Sequence, residues 1–600
     1  MRRRRRICVG AAMLAACVCA FGQPAEGTMA FTVSMAKPGA HIFHVAFRVE
    51  GLKGELQDFK MPAWTPGFYG ILDYAKNVSN FRAEDAAGRP LPWEKVTRNT
   101  WRVVAGNAPV VQLNYDVYGG ISFAAQNFLD EGRAYITPPG LFMHVAGRLR
   151  HPVTVAFQLP PGWSRIATGL DAVAARPNTF RAPDFDVLYD CPMLLGNQES
   201  LTFTVSKIPH RVAIENVAAS VDREKLLRDL KRLVEAATGL MGDIPYQHYT
   251  FLLMGSGNGG IEHGNSASIA FNGKNLEDEN GYRDWLSYVA HEYFHNFNVK
   301  RIRPIALGPF DYDRENYTSM LWVSEGLSVY YQDILMVRAG LATREQYLEK
   351  MQNSLARFEN AAGHHYQSAT ESSMSAWGTG SGVGGDRNTS ISYYDNGAML
   401  GAMLDLEIRS ESRNQKSLDD VMRGLYRKYY LGKKRGFTDA EFRAECESAA
   451  GVPLGEIFEY ASTTKDVDYG KYFAYAGLRL EVTMQDAPGA YLGVNTHFED
   501  GEMAITSVTP GSPAQNAGLG PQDRLLEVEG ARATPKSLNE LLVGKTAGDR
   551  ILVHRMRDKL PLDVEVVLGG NQKRLFWLKP VDHPSELQAA VWKGWMTAGK

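Results

Sequence analysis

Residues 290–296 read Ala290-His291-Glu292-Tyr293-Phe294-His295-Asn296. In an α-helix, side chains four positions apart lie on the same face, so His291 and His295 aim their imidazoles at a common point. Two histidines in this arrangement suit Zn²⁺, and the neighbouring Glu292 can take a proton from a zinc-activated water molecule. The spacing therefore predicts the metal helix of a zinc peptidase, with Glu292 as the general base.

A third protein ligand is expected, because catalytic zinc sites usually have three protein ligands plus water. Glu325 is the candidate, since it lies in the apolar run 320–331, which is typical of a buried helix. A buried carboxylate needs a partner, and a metal ion is one. The alternative interpretation treats His291 and His295 as core histidines with a coincidental spacing, and the buried Glu325 argues against it.

The composition is that of an ordinary globular protein, with 44% hydrophobic and 22% charged residues. A chain of 600 residues suggests about three or four domains. The net charge is −2, from 65 basic and 67 acidic residues, so no global field attracts nucleic acid or an anionic membrane. The sequence therefore excludes nucleic acid as a partner.

The first 22 residues are typical of a secretory signal, because the arginines at positions 2–6 precede an apolar run over 7–21. That run is shorter than the roughly 20 residues that span a bilayer. No later stretch is predicted to cross a membrane. We expect an exported protein, either periplasmic or secreted. The alternative is a lipoprotein cleavage box at 14–17, which gives a lipid anchor at Cys17.

Two cysteines, Cys191 and Cys446, lie outside both the signal segment and the lipoprotein box. Two cysteines so far apart in sequence form no disulfide framework, although an exported compartment permits one bridge. We predict free, buried thiols at both positions.

The rest of the chain divides by its periodicity. Residues 28–207 consist of short alternating runs separated by Pro and Gly pairs, a pattern that predicts a β-rich domain. Its aromatic residues, Tyr69 among them, are interpreted as core. Helical periodicity begins near Val221, and the region to about residue 473 is α-rich and contains the histidine helix, predicted over 282–299.

Two further groups of residues point to a substrate site. A predicted strand leads into the Gly-rich run 255–260 and then to Glu262, which is expected at the edge of a hairpin or small sheet. Glycine there permits close backbone approach to a ligand, and the alternative is an ordinary loop. A later helix opens with residues 393–397, where a tyrosine hydroxyl can donate to an oxyanion.

The C-terminal region is β-like again from about Tyr475, and its ordered motifs resemble a PDZ domain. In PDZ domains a peptide adds as a strand beside the sheet edge, and its carboxylate meets backbone N–H groups. By this resemblance the donors are Leu492, Gly493 and Val494, and a C-terminal peptide is a second partner. The alternative is a PDZ fold that serves only as a structural appendage.

Taken together, residues 291–304, 260–263, 322–326 and 393–397 with the trailing PDZ motifs resemble the glycyl aminopeptidase family of gluzincin zinc metallopeptidases. The resemblance covers essentially the whole mature chain. It implies a thermolysin-like catalytic domain with one zinc ion per chain, and removal of small N-terminal residues such as Gly and Ala from peptides with a free N-terminus.

The resemblance also implies a role for each matching residue. The zinc ligands are His291, His295 and Glu325; the catalytic residues are Glu292 as base and Tyr394 as oxyanion donor; the substrate-binding residues are Gly260, Ile261 and Glu262. Glu262 pairs with the substrate α-ammonium, so that only the first peptide bond reaches the zinc.

The predicted fold class is α+β and multidomain. The predicted segments are a signal peptide over 1–22, a β-rich N-terminal domain over 28–207, a thermolysin-like zinc peptidase domain over 208–473, a PDZ domain over 475–575 and a C-terminal tail over 576–600. The predicted function is zinc-dependent aminopeptidase. Two alternatives remain: a periplasmic PDZ-containing endopeptidase, and a non-catalytic peptide-binding scaffold.

Overall fold

The computed structural model describes residues 27–255, 257–270, 278–379 and 385–597. The predicted signal segment over 1–22, with Cys17, lies outside the described residues. Among the described residues, no helix is both long and apolar enough to span a bilayer. Cys191 and Cys446 are buried and free, as their wide spacing predicts.

The first part of the chain is built from β-strands. They are β1 Met29–Ser34, β2 Ile42–Glu50, β3 Leu56–Lys60, β4 Val78–Asp85, β5 Trp93–Thr97, β6 Thr100–Val104, β7 Val110–Tyr118, β8 Phe128–Leu129, β9 Arg133–Ile136, β10 His144–Val145, β11 Val153–Gln158, β12 Arg165–Thr168, β13 Asp171–Ala172, β14 Thr179–Ala182 and β15 Met193–Gly196, with helix α1 Phe185–Tyr189. Alternation buries one face, as in β1, where Met29, Phe31 and Val33 point into the core.

These strands form three sheets. The largest has the order β13-β14-β11-β1-β2-β7-β4, and two four-stranded sheets have the orders β10-β3-β6-β5 and β12-β15-β9-β8. The prediction of a β-rich N-terminal domain is therefore confirmed by the structure.

The middle of the chain combines one sheet with a helical layer. Its elements are β16 Glu199–Val205, β17 Ile208–Ile214, α2 Arg223–Met241, β18 Tyr249–Met254, β19 Gly260–Glu262, β20 Ser266–Ala270, α3 Glu279–Phe294, α4 Leu327–Arg338, α5 Arg344–Glu359, α6 Ala369–Thr379, α7 Tyr393–Glu411, α8 Leu418–Leu425, α9 Asp439–Ala450, α10 Gly455–Ser462 and α11 Tyr469–Ala474. The sheet order is β16-β17-β18-β20-β19, so β19 is an edge strand.

The predicted boundary at residue 207 is wrong. It would separate β16 from β17, although the two strands pair along their whole length as an antiparallel hairpin. The hydrogen bonds of that hairpin make β16 the first strand of the middle sheet rather than the last strand of the N-terminal domain.

The metal helix α3 is shorter than the predicted 282–299. Its N-cap is Asp278, whose side chain accepts a hydrogen bond from the Gly281 N–H, and its last residue is Phe294. His295 occupies the C-cap with helical backbone angles, so the four-residue spacing from His291 is kept. The predicted buried helix around Glu325 opens as a π-helical turn, Trp322–Gly326, which continues into α4.

The C-terminal region contains β21 Leu478–Tyr491, β22 Val494–Glu499, β23 Glu502–Val508, α12 Pro513–Asn516, β24 Arg524–Val528, β25 Ala531–Arg532, α13 Pro535–Val543, β26 Arg550–Arg557, β27 Leu560–Val567, β28 Gly569–Pro580 and α14 Glu586–Met596. The strands β22-β23-β24-β26-β27 form a sheet around a core of their own, and β25 pairs with β24. The strands β21 and β28 pair as a ribbon that connects this unit to the middle domain.

The predicted C-terminal tail over 576–600 is wrong for its described part. The strand β28 extends to Pro580, and α14 packs into the core of the middle domain with Trp595 fully buried. The Trp595 indole N–H donates to the Tyr330 hydroxyl at 2.9 Å, and Arg338 donates to the Trp595 carbonyl at 3.2 Å. Large apolar side chains at helical spacing give α14 a face that must be covered.

We expect Trp595→Ala to lower the free energy of unfolding by about 3–5 kcal/mol, because it leaves a cavity and removes the hydrogen bond to Tyr330. Urea unfolding followed by circular dichroism measures the loss. The control is Leu587→Ala on the same helix, where the side chain is 37% exposed and a change within about 0.5 kcal/mol is expected. Equal effects of the two variants would contradict the docking of α14.

Candidate active site

Three side chains from two helical segments converge on one buried point. The His291 and His295 Nε2 atoms lie 2.9 Å apart. One carboxylate oxygen of Glu325, Oε2, lies 3.2 Å from His295 Nε2 and 3.6 Å from His291 Nε2. All three side chains are buried. The helix α3 supplies His291 and its C-cap supplies His295, whereas the π-helical turn before α4 supplies the carboxylate.

These three atoms fit a zinc ion. Ligands about 2.0–2.2 Å from a tetrahedral zinc lie roughly 3.3 Å from each other, and the observed separations of 2.9–3.6 Å bracket that value. The His295 Nδ1–H donates to the Asn298 carbonyl at 2.8 Å, which fixes the tautomer of the ring. The lone pair of Nε2 is then free to bind a metal ion. The donor set of two imidazoles and one carboxylate is a usual one for catalytic zinc.

The charges of the same groups favour a cation at this point. Burial lowers the pKa of His295, but the carboxylates of Glu325, Glu262 and Glu292 outweigh burial and raise it to about 10. Burial raises the pKa of Glu325, but His295 and His291 outweigh it and hold that pKa well below its usual range. Three carboxylates thus surround one position, and a metal ion that binds there displaces the proton of His295.

A pair of glycines brings a second helix against the Glu325 turn. A Cβ atom on Gly326 would lie 2.4 Å from the Gly397 Cα, and one on Gly397 would lie 2.4 Å from the Trp322 carbonyl oxygen. Only glycine allows backbones this close. The contact lays α7 on the π-helical turn, so that the tyrosines at the start of α7 lie beside Glu325.

Tyr394 is placed where it can donate a hydrogen bond into the site. Its ring centroid lies 6.1 Å from that of His291, and its ring stacks on Tyr393 at 4.7 Å. Burial, followed by the charge of Glu325, raises the Tyr394 pKa well above its usual value, so the hydroxyl keeps its proton. Tyr393 is fully buried, whereas Tyr394 is partly exposed. Of the two, Tyr394 is the one that can reach a substrate.

Glu292 lies between the metal ligands and the edge of the sheet. A Cβ atom on Gly260 would lie 2.5 Å from Glu292 Oε1, and the Tyr288 hydroxyl hydrogen-bonds the Glu292 carboxylate. Burial raises the Glu292 pKa to about 8, and Glu262 and Glu325 add to the rise, whereas His295 opposes it. The positive charge of a metal ion at the ligand point lowers this pKa again, which leaves a carboxylate able to accept protons near neutral pH.

Glu262 belongs to the same cluster. It ends the edge strand β19, it is only 4% exposed, and its charge influences both Glu292 and His295. Within the described residues, β19 has one hydrogen-bonded strand neighbour, β20, and pairs with no strand on its other side. The carboxylate therefore lies at an unpaired strand edge, beside Glu292 and the metal ligands.

Family models match three parts of the chain. They describe the Peptidase M61 N-terminal domain over residues 30–197, M61 glycyl aminopeptidase over 284–400 and a PDZ domain over 490–568. The middle model spans His291, His295, Glu325 and Tyr394. The chain therefore carries M61 peptidase domains in its first and middle parts.

One solved structure has the same fold over nearly the whole chain. An aminopeptidase N family protein from Idiomarina loihiensis is 26% identical, with a TM-score of 0.83 over 95% of this chain and 100% of that chain. An M1 zinc metallopeptidase from Deinococcus radiodurans is 12% identical, with a TM-score of 0.47 over 74% of this chain and 95% of that chain, a likeness too distant to carry an inference. No curated protein sequence matches the chain. The M61 protein is a zinc metallopeptidase, and its family and fold place it among the aminopeptidases.

Several residues around the M61 site escape the sequence analysis. Tyr69, interpreted there as core, is buried, but its hydroxyl also donates to Glu325 Oε1 at 2.9 Å. Asp190 accepts hydrogen bonds from the backbone of Gly264 at 2.8 Å and pairs with Lys300 at 2.5 Å, which ties the turn after Glu262 to the segment after α3. Tyr288 lies four residues before Glu292, and that helical spacing could have identified it.

The PDZ loop of the M61 protein, residues 492–494, is held in place by hydrogen bonds to its carbonyl groups. The Gly493 carbonyl accepts from the Thr509 N–H at 2.9 Å, and the Leu492 carbonyl accepts from the Ala514 N–H at 2.9 Å. Gly493 has a φ of +87°, and Val494 begins β22. The strand β22 ends the order of its sheet among the described residues, so a peptide can add beside it.

Proposed function

We propose that the protein removes the N-terminal residue of peptides with a free α-amino group, with one zinc ion per chain held by His291, His295 and Glu325. The observation that carries the proposal is the buried Glu262 carboxylate at the end of an unpaired strand edge, in the same cluster as the metal ligands and Glu292. A negative charge at that place favours a substrate that carries a positive charge, as the α-ammonium group of a free N-terminus does.

The substrate binds as an added strand. The side of β19 that pairs with no strand offers the backbone groups of Gly260 and Ile261 to an extended peptide. Glu262 then pairs with the α-ammonium of the first residue in a charge-assisted hydrogen bond. Because the ammonium is fixed at Glu262, the first peptide bond is the one that reaches the metal ligands, which makes the enzyme an exopeptidase.

Each remaining residue has one task in the reaction. Bound zinc supplies a Lewis acid that polarises a carbonyl group and acidifies water. Glu292 accepts the proton of the attacking water and passes it to the leaving amine. Tyr394 donates a hydrogen bond from its hydroxyl group to the carbonyl oxygen as that oxygen gains negative charge. Tyr288 holds the Glu292 carboxylate in place.

The preference for small N-terminal residues such as Gly and Ala rests on the family description, M61 glycyl aminopeptidase. A panel of aminoacyl-naphthylamides that differ only in side-chain size tests it. We expect the highest kcat/KM for the glycyl or alanyl substrate, and a higher value for a large residue would contradict the preference.

Glu262→Ala should lower kcat/KM for free N-terminal peptides by about ten- to a hundredfold, because a charge-assisted hydrogen bond contributes about 1.5–3 kcal/mol. Part of the loss should appear in KM, since the ammonium is bound in the ground state as well. The comparison substrates are the same peptides with an acetylated N-terminus, which should not suffer the same loss. The control variant is Glu279→Ala, an exposed acid at the start of α3.

Equal losses on free and acetylated peptides would mean that Glu262 supports the fold rather than binding the amino terminus. A PDZ-containing endopeptidase would then be the better description. If the purified protein contains no stoichiometric zinc, the non-catalytic peptide-binding scaffold would be favoured instead. The proposed reaction needs zinc at the ligand cluster.

Two further proposals concern partners and location. The backbone N–H groups of Leu492, Gly493 and Val494 bind the terminal carboxylate of a peptide that adds to β22, which the open edge of that strand supports. The arginines and apolar run before residue 22 support export to the periplasm or the medium, with a lipid anchor at Cys17 as the alternative.

A further inference from the structure

A turn of the N-terminal domain, residues 65–70, reaches into the site of the middle domain. The hydroxyl of Tyr69 donates to Glu325 Oε1 at 2.9 Å, and Tyr69 is only 2% exposed. The other oxygen of that carboxylate, Oε2, faces the two histidines. The Glu325 carboxylate is therefore held at both oxygens, one by the metal site and one by the neighbouring domain.

The same turn also touches Glu262. Gly67 has a φ of +92°, and a Cβ atom there would lie 2.8 Å from Glu262 Oε2 and 2.6 Å from the Ile261 Cγ2. The Gly67 backbone thus lies against the Glu262 carboxylate, and a larger residue has no room. One turn therefore contacts both carboxylates: Tyr69 contacts the metal ligand Glu325, and Gly67 contacts Glu262, the proposed partner of the substrate amine.

The two residues just before the turn, Ala63 and Trp64, anchor it to the middle domain. The Trp64 indole N–H donates to the Asp311 carbonyl at 2.8 Å, and the Ala63 N–H donates to the Tyr312 carbonyl at 2.8 Å. Trp64 is 1% exposed and packs against Phe310, Tyr312 and Trp377. Within the turn, the Phe68 N–H donates to the Thr65 carbonyl at 3.1 Å. A segment held in this way can fix distances between the groups that it touches.

We propose that the 65–70 turn is a spacer that sets the separation between Glu262 and Glu325, with Tyr69 as a positioning residue for the metal ligand. The proposal rests on the proposed aminopeptidase function for its Glu262 part. That separation decides how far the substrate amine lies from the metal ligands, and hence which peptide bond is cleaved. The N-terminal domain is then a part of the active site rather than an appendage.

The first test is Tyr69→Phe, which removes one hydroxyl from the full-length protein. We expect the zinc dissociation constant, measured by chelator competition, to rise about 10- to 100-fold. Removing a group that orients a metal ligand typically weakens metal binding by that factor. The visible absorption of the Co²⁺-substituted protein should also shift. The control is Tyr74→Phe, another buried tyrosine of this domain, whose hydroxyl donates to the Ala125 carbonyl at 2.6 Å. If both variants bind zinc as the wild type does, the positioning role is overturned.

The second test is Gly67→Ala, read as the ratio of kcat/KM on free and acetylated peptides. We expect the ratio to fall at least tenfold, because displaced Glu262 no longer fixes the amine. The control is Gly162→Ala, whose φ of +88° gives the same backbone strain but whose added Cβ meets nothing within 4 Å. An unchanged ratio for Gly67→Ala overturns the spacer. If the wild type shows no preference for free peptides, the aminopeptidase proposal itself fails, while the zinc measurement on Tyr69→Phe still decides the role of Tyr69.

Discussion

Glu292→Gln is expected to lower kcat by about 10²–10⁴, the usual contribution of a positioned general base, while the zinc content stays at the wild-type level. The amide keeps the shape of the side chain but cannot accept a proton. The three ligand side chains are untouched, since Glu292 contacts the Tyr288 hydroxyl and the Gly260 backbone rather than the ligand atoms.

The measurement combines steady-state kinetics with metal analysis of the purified variant. The matched control is Glu279→Gln on the same helix, where the side chain is exposed and neither zinc content nor kcat should change. A Glu292→Gln variant that retains more than about a tenth of the wild-type kcat shows that another group is the base. A loss of zinc together with activity would place Glu292 among the groups that hold the metal site together.

The metal cluster could be predicted from sequence because its geometry is local. His291 and His295 are one helical turn apart, and the helix fixes their relation whatever the rest of the chain does. Glu325 required one further step, the argument that a carboxylate in an apolar run needs a charged partner. The position of Glu262 at a sheet edge also followed from the Gly-rich run before it, and the structure confirms it.

The contacts made across domains could not be predicted in this way. Tyr69 meets Glu325 although 255 residues lie between them, and no spacing in either segment signals the hydrogen bond. The hairpin of β16 and β17 crosses the expected domain boundary because strand pairing depends on hydrogen bonds rather than on composition. The docking of α14 depends on a surface of the middle domain that its own sequence does not show. In each case the deciding partner is distant in sequence.

The π-helical turn at Trp322–Gly326 is a further feature that periodicity missed. An apolar run predicts burial, but it does not distinguish an α-helical from a π-helical turn. The reason for the turn becomes visible only with α7 in place, because Gly326 and Gly397 lie in direct backbone contact. Single π-helical turns are often found at functional sites, and this one carries the third metal ligand.

Tyr394→Phe is expected to lower kcat by about 10²–10³ with little change in KM, because a donor to a developing oxyanion acts mainly in the transition state. The structure supplies the conditions for this role. The hydroxyl keeps its proton, since burial and the charge of Glu325 raise its pKa, and the ring lies 6.1 Å from that of His291. Kinetics on a free N-terminal peptide, with the melting temperature and zinc content measured beside them, give the comparison.

The matched control is Tyr393→Phe, because the two rings stack and their hydroxyl groups are hydrogen-bonded to each other. Tyr393 is fully buried, so its loss should lower stability more than it lowers kcat. The opposite outcome would be a large fall in kcat for Tyr393→Phe and none for Tyr394→Phe. It would make Tyr393 the oxyanion donor. The start of α7 would then have to rotate in the substrate complex. A moderate fall in kcat for both variants would mean that the hydrogen-bonded pair acts as one donor. Removing either hydroxyl group would then weaken the same hydrogen bond to the oxyanion.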